Sequence, residues 1–437
     1  MNRSRFHLSS ALISVFLGTM LGGTSVAQAQ MFVCGAPDAT EAGAVPLSAT
    51  SLYSATTPGF DLNTAPEVKD GLCFSDHPFF FSAPMPEGDY RITIVFASTQ
   101  PAANTVRAES RRLMIEQAVT APGAPATRIF DVNVRTPRID GDAQNQITLK
   151  PREFGKLDWD GKLTLEFNGE HPSIRSIAIA PLHETTLYLA GDSTVVDQDV
   201  EPWTAWGQIL PRFFAPGIVI ANYAESGETI RGFIDEHRLA KVFSRMQAGD
   251  YLFLQFGHND QKLNAVSLAD YKMLLTETIA KTRARGATPV LVTSMNRRSF
   301  DGAGKIVNSL SPYTEAVREM AAAQQTALID LNALSKTLFE AMGPDLSMKA
   351  FMHYPANAYP NQTEAISDDT HFNGYGAYEL ARCVVHGMRE AKLPLLEFLR
   401  SDAIDFDPAR PDPQPYFHLP ATPIPPKQRD VMKTPQS

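Results

Sequence analysis

The feature that most constrains this chain is a change of rhythm near Thr186. Beyond it, short apolar runs at residues 187–190, 218–221, 251–256, 289–293 and 327–331 alternate with longer stretches of helical periodicity. A parallel sheet covered by helices on both faces satisfies that pattern. The clearest helices are predicted over 267–285, with Ser267 as N-cap, and over 312–324, with Pro312 in the first turn. Residues 374–391 read as the last helix. Sheets of this kind bind ligands outside the carboxyl ends of their strands, so the chemistry is sought in the loops that follow these runs.

Upstream, from about residue 32 to 181, the pattern is that of strands. Runs at 90–97, 163–168 and 174–180 are β-rich and partly alternating, and turn signals such as Pro86-Glu-Gly-Asp and Asp158-Trp-Asp-Gly separate them. Many short strands without long helices predict a β-sandwich. Beyond residue 405 proline dominates, which rules out a helix or a central strand there. The expected organisation is a signal peptide over 1–29, a β-sandwich domain over 30–183, an α/β domain over 184–400 and a proline-rich tail over 401–437.

The leader rests on Arg3 and Arg5, an apolar run over 11–21 and the small-residue cleavage pattern Ala27-Gln28-Ala29. It predicts an exported, periplasmic or secreted protein. No later stretch approaches the roughly 20 consecutive apolar residues of a spanning helix, so no stable membrane insertion is expected. The formal charge is −9, and loss of the leader removes two cations and no acids. Such an acidic chain lacks the basic stripe that nucleic acid requires. An oxidising compartment allows Cys34 and Cys73 to pair; two separate buried thiols are the other reading. Cys383 reads as core.

Four motifs fall where the strand-end rule places a site. Gly191-Asp192-Ser193 follows the first parallel strand, Gly227 the second and Gly257-His258-Asn259-Asp260 the third, while Asp368-Asp369-Thr370-His371 precedes the last helix. A serine hydroxyl is a poor nucleophile near neutrality, so acyl transfer needs a base within hydrogen-bond reach and a third group to orient that base. Ser193, His371 and Asp368 supply the three types. The oxyanion needs fixed donors, for which Ser193 N–H, Gly227 N–H and the Asn259 amide are candidates. No His-Glu-x-x-His occurs, so neither a metal nor another cofactor is expected.

In this order the four motifs resemble the sequence blocks of SGNH (GDSL-type) hydrolases, over roughly residues 186–395. More narrowly, Tyr188-Leu-Ala-Gly-Asp-Ser-Thr, Trp203-Thr-Ala-Trp-Gly-Gln and Phe256-Gly-His-Asn-Asp-Gln resemble bacterial rhamnogalacturonan acetylesterases. The stretch from Glu109-Ser-Arg-Arg-Leu-Met to Asp158-Trp-Asp-Gly is similar to the galactose-binding-like β-sandwich that precedes the hydrolase domain in two-domain members. The resemblance implies an SGNH-type three-layer domain, with a central parallel sheet flanked by helices. It implies Ser193, Asp368 and His371 as catalytic residues and Ser193, Gly227 and Asn259 as the oxyanion hole. It also implies an acetylated polysaccharide or oligosaccharide as substrate. Glu228 follows the block glycine where many relatives carry a basic residue. Other SGNH esters (lipid, thioester or peptidoglycan acetyl) and an inert carbohydrate-binding protein are the alternatives.

Candidate substrate contacts are Trp206, His258, Arg297 and His353. Trp206 either stacks on a sugar ring or packs in the core. Arg297, with Arg231 and Arg298, either meets carboxylates of an acidic polysaccharide or is solvated surface charge. His353 lies in a proline-bearing stretch over 344–366, long enough to wall a cleft just before the acid.

Overall fold

The computed structural model describes residues 28–423 apart from 40, 141, 263, 264, 361, 404 and 405. All but the last two residues of the expected leader, and the tail beyond 423, lie outside the described residues. Among those described, no helix is long and apolar enough to cross a membrane.

The N-terminal strands form two sheets. One has seven strands, with Ala126–Val134, Gly88–Phe96, Ser173–Leu182, Gln30–Cys34 and Val45–Leu47 along its main path. The other orders Gly59–Asp61, Phe79–Pro84, Lys162–Glu170, Ala102–Ala108 and Arg112–Thr120. Alternation decides which side chains face inward: in Gly88–Phe96 every second residue (Tyr90, Ile92, Ile94, Phe96) is buried. These residues share one apolar core with Phe79, Phe81, Leu165 and Phe167 of the second sheet. Cys34 and Cys73 are joined as a disulfide with their Cα atoms 5.5 Å apart, so the pairing reading holds. Closing a loop of 39 residues stabilises the fold by about 4 kcal/mol in the chain-entropy model.

From Thr185 a five-stranded parallel sheet takes over. Its order is Ile218–Asn222, Thr185–Gly191, Tyr251–Gln255, Thr288–Val292 and Ala327–Ile329. The chain steps first to one side of Thr185–Gly191 and then to the other, so the switch point lies at the end of that strand. Alternate residues build two cores. Leu187, Leu189, Phe253, Val290 and Val292 face helices Leu331–Ser347 and Gly374–Glu390. Tyr188, Ala190, Leu252, Leu254 and Leu291 face Arg238–Arg245, Leu268–Arg283 and Ser311–Ala323. The result is three layers.

Local signals act as expected where the side chain has a single use. Ser267 Oγ accepts from Asp270 N at 3.1 Å and caps its helix. The last strand is shorter than its apolar run, because Asp330 leaves it to cap the next helix by accepting from Ala333 N. The expected wall over 344–366 is only partly loop. Its first turn belongs to Leu331–Ser347, broken at Gly343, and the hairpin Phe351–Tyr354 with Ile366–Phe372 follows.

The halves interlock. Leu113 packs in the core of the α/β half, and Arg112 Nε lies 3.3 Å from Asp197 Oδ2 in the segment after Ser193. The described part of the tail returns across both halves. Phe417 sits against Tyr375 and Tyr378 on the last helix. Further on, Ala421 O accepts from Asn168 Nδ2 at 2.9 Å, and Thr422 Oγ1 donates to Glu166 Oε2 at 2.8 Å.

Candidate active site

Strand Thr185–Gly191 ends in a turn that leaves little room. A Cβ at Gly191 would stand 2.6 Å from Val195 Cγ2 and 2.9 Å from Gln255 O. Asp192 builds the turn: Oδ1 accepts from Thr194 N at 2.9 Å and Thr194 Oγ1 at 2.8 Å, while its carbonyl accepts from Val195 N and Val196 N. Burial pushes the Asp192 carboxyl up, and the bonds from Thr194 oppose this. The turn presents Ser193, whose Oγ lies 2.8 Å from His371 Nε2.

His371 and Asp368 share strand Ile366–Phe372, which a flat ladder would use to separate them. The hairpin register shifts instead: Phe351 pairs with Phe372 and Met352 with Asp368, so 369–371 leave the ladder. Such a bulge re-aims side chains. Asp368 Oδ1 accepts from Thr370 N at 2.7 Å and His371 N at 3.0 Å, and Oδ2 lies 2.7 Å from His371 Nδ1. Burial alone would raise the Asp368 carboxyl, but the bond and charge of His371 and the two backbone donors hold it well below the ordinary carboxylate range. An ionised carboxylate only accepts, so Nδ1 carries the proton and Nε2 is left to accept from the serine. Beneath the bulge Phe372 packs on Phe351 at 4.7 Å, and its carbonyl accepts from Thr204 N.

The loop after the second strand is held against the first, Glu225 N donating to Gly191 O at 3.2 Å. Gly227 has φ +77°, a conformation that favours glycine. Asn259 Nδ2 donates to Glu228 O at 2.9 Å, joining the third block to this loop. Asp260 strengthens the joint by accepting from Ile230 N at 2.9 Å, and burial pushes its carboxyl up to about 7. Among the described residues, the N–H groups of Ser193 and Gly227 have no protein acceptor.

Two expected substrate contacts are corrected. Trp206 is 0% exposed and donates its indole N–H to Gln255 Oε1 at 2.8 Å, so its ring packs in the core and offers no face to a sugar. His258 is 2% exposed with Nε2 3.3 Å from the Met295 sulfur. Burial, then the charge of Arg297, drives its imidazole pKa well down, and a ring so enclosed presents no edge to a substrate.

Arg297 is half-buried and bonded to Gln261 Oε1, Ser309 Oγ and His258 O, where it buttresses the third block. Arg231 pairs with Asp270, and Arg298 with Asp369. His353 Nε2 lies 2.8 Å from Asp369 Oδ1. His353 also lines a cavity of about 850 Å³ together with Arg111, Glu201, Lys349, Tyr354 and Tyr359. Phe351 and Asn373, which flank the strand carrying His371, complete that side of the wall.

Sequence reasoning did not find Lys150, Arg152 and Lys156. The first two bond the carbonyl of Ser226, and all three pair with Glu225 or Glu228 beside Gly227. Their partners lie some 70 residues away in the other half, so no local pattern announces them.

A model of the GDSL-like lipase/acylhydrolase family matches residues 189–377, which include Ser193, Gly227, Asn259, Asp368 and His371. Rhamnogalacturonan acetylesterase RhgT of Bacillus subtilis (strain 168) is 39% identical over 218 residues, 49% of this chain and 94% of that protein. The probable rhamnogalacturonan acetylesterase YesY of the same organism is 34% identical over 217 residues, 48% of this chain and 95% of its own. The uncharacterized esterase YxiM, also of B. subtilis, is 26% identical over 315 residues, 71% of this chain and 74% of that protein.

Proposed function

This chain belongs to the GDSL-like lipase/acylhydrolase family and is a serine hydrolase acting on ester bonds; from there we propose that it removes O-acetyl groups from an acetylated plant cell-wall polysaccharide, of the rhamnogalacturonan or pectin kind, through an acetyl-enzyme on Ser193. The observation that carries the reading is the unbroken hydrogen-bonded line of 2.8 and 2.7 Å from Ser193 through His371 to Asp368. The named activity of RhgT supports the carbohydrate acetyl ester.

In the first half-reaction Ser193 Oγ attacks the acetyl carbonyl carbon while His371 Nε2 takes the hydroxyl proton. The imidazolium is stabilised by Asp368, which keeps its negative charge. The tetrahedral oxyanion is met by Ser193 N–H, Gly227 N–H and the Asn259 amide. Collapse breaks the bond to the sugar oxygen, which leaves with the proton from His371. Water then attacks the acetyl-serine with one proton passing to His371; the proton returns to Ser193 Oγ as the ester bond breaks, and the acetic acid released ionises to acetate by losing its own proton to solvent.

We read residues 30–183 as a galactose-binding-like β-sandwich, 184–400 as the hydrolase domain and 401–437 as a proline-rich tail, in a protein exported on a leader that ends at Ala29. The mass of the N-terminal peptide of purified protein tests the leader. Acetate release from acetylated pectin, xylan and chitin fragments, by wild type and Ser193→Ala, tests the function. Release from pectin that vanishes in the variant is expected. Preference for p-nitrophenyl esters longer than butyrate would favour a lipase or thioesterase instead, and binding of polysaccharide with no hydrolysis a carbohydrate-binding role.

A further inference from the structure

Residues 225–228 form a reverse turn, Glu228 N donating to Glu225 O at 3.3 Å, with Ser226–Gly227 as its central peptide. The Gly227 φ of +77° is that of the third position in a type II turn. Type I and type II turns differ by a flip of this central peptide, and glycine at the third position makes both conformations accessible. The flip reverses the direction of the Gly227 N–H. An oxyanion donor at this position therefore needs something outside the turn to choose between the two.

The N-terminal half supplies it. Ser226 O accepts from Lys150 Nζ at 3.2 Å and also from Arg152 Nη2. In a trans peptide the C=O and N–H point in opposite directions, so holding the carbonyl toward two cations aims the Gly227 N–H away from them. The same cations fasten the corners of the turn: Arg152 Nε to Glu225 Oε1 at 2.8 Å, and Lys150 Nζ to the Glu228 carboxylate. Lys156 holds the second oxygen of Glu225 at 3.4 Å. The segment bearing the clamp is itself fixed, since Glu153 accepts Lys150 N at 2.8 Å and Arg238 Nη1 at 3.0 Å. A cation on the carbonyl also polarises the peptide, making its N–H a stronger donor.

We infer that Arg152 and Lys150 are positioning residues, which select the turn conformer that presents Gly227 N–H to the oxyanion. The inference rests on the proposed role of Gly227 as an oxyanion donor. It makes the N-terminal half part of the catalytic apparatus.

Arg152 is the better probe, because its side chain is half exposed and its partner Glu225 keeps Lys156 when it is removed. In Arg152→Ala, kcat on p-nitrophenyl acetate falls roughly ten- to a hundredfold, short of the loss of a whole donor. KM changes less than twofold, the acid limb of the pH profile stays in place, and millimolar guanidinium restores part of the rate. Arg152→Lys keeps an N–H donor and retains an intermediate kcat. Wild-type kcat in Arg152→Ala, with Ser193→Ala inactive, overturns the clamp and leaves the esterase reading standing. Undiminished activity of Ser193→Ala overturns that reading itself. A loss in Arg152→Ala that tracks lowered thermal stability, with KM raised and no rescue by guanidinium or lysine, makes Arg152 a structural prop and also overturns the inference.

Discussion

Asp368 Oδ2 and His371 Nδ1 meet at 2.7 Å although they occupy one strand three residues apart, because the residues between them leave the hairpin ladder. The carboxylate is thereby spent on the base and on the backbone of its own bulge, while the next acid, Asp369, turns outward to His353 and Arg298. That division of labour makes the two neighbouring aspartates separable by mutation.

Ser193→Ala removes the proposed nucleophile and is expected to lower kcat by about a millionfold, and Asp368→Asn by about ten-thousandfold, because the amide no longer holds the tautomer the proposed base needs. Asp369→Asn stays within about tenfold of wild type. Steady-state acetate release by the three variants checks the order; equal losses for the two aspartate variants contradict the assignment of the acid.

Asp368 also has a signature in stability. Its carboxyl is held below its ordinary value of 3.8 in the folded chain, so the stability it contributes is complete above that pH and is lost as pH falls through and beneath it. Urea midpoints of wild type therefore fall faster than those of Asp368→Asn as pH is lowered from 5 toward 2. Parallel curves for the two proteins would show that the ion pair is not felt.

Asn259→Ala removes one proposed oxyanion donor and leaves Glu228 O without its partner. A loss of at least about a hundredfold in kcat, with little change in KM, is expected from steady-state kinetics. A pure KM effect would place the amide on the substrate and not on the transition state.

Gly207 tests how tightly the nucleophile turn is backed. A Cβ there would stand 2.2 Å from Val195 O, a backbone atom that cannot swing aside. Gly207→Ala displaces the turn that carries Ser193, lowering both the melting temperature and the rate of labelling by a fluorophosphonate. Normal labelling in a stable variant would mean that the turn is free to move.

The parallel half was legible because each of its strands is a short apolar run and each block glycine stands directly after one. Ser193, His371 and Asp368 can be named from residue type and position, whereas the geometry of their contact cannot, since it depends on a register shift between Phe351–Tyr354 and Ile366–Phe372 that no local pattern announces. Trp206 stays open in the sequence for a physical reason: an indole there suits a sugar or a core equally, and the buried Gln255 amide oxygen that decides for the core lies 49 positions away. His258 is decided similarly, its neighbour Met295 arriving from another strand end. The last strand lost two residues to Asp330, whose role as a cap outweighs the apolar run before it.

The tail's return to Asn168 and Glu166 bears on how this catalyst can be borrowed. An engineer cutting at the end of the last helix would discard a buckle that spans both halves, and cutting before Thr185 would discard the hands that hold the Ser226 carbonyl. The portable unit is thus larger than the stretch that bears the reactive groups, and a chimera assembled from that stretch alone would inherit the serine without the frame that aims its partners.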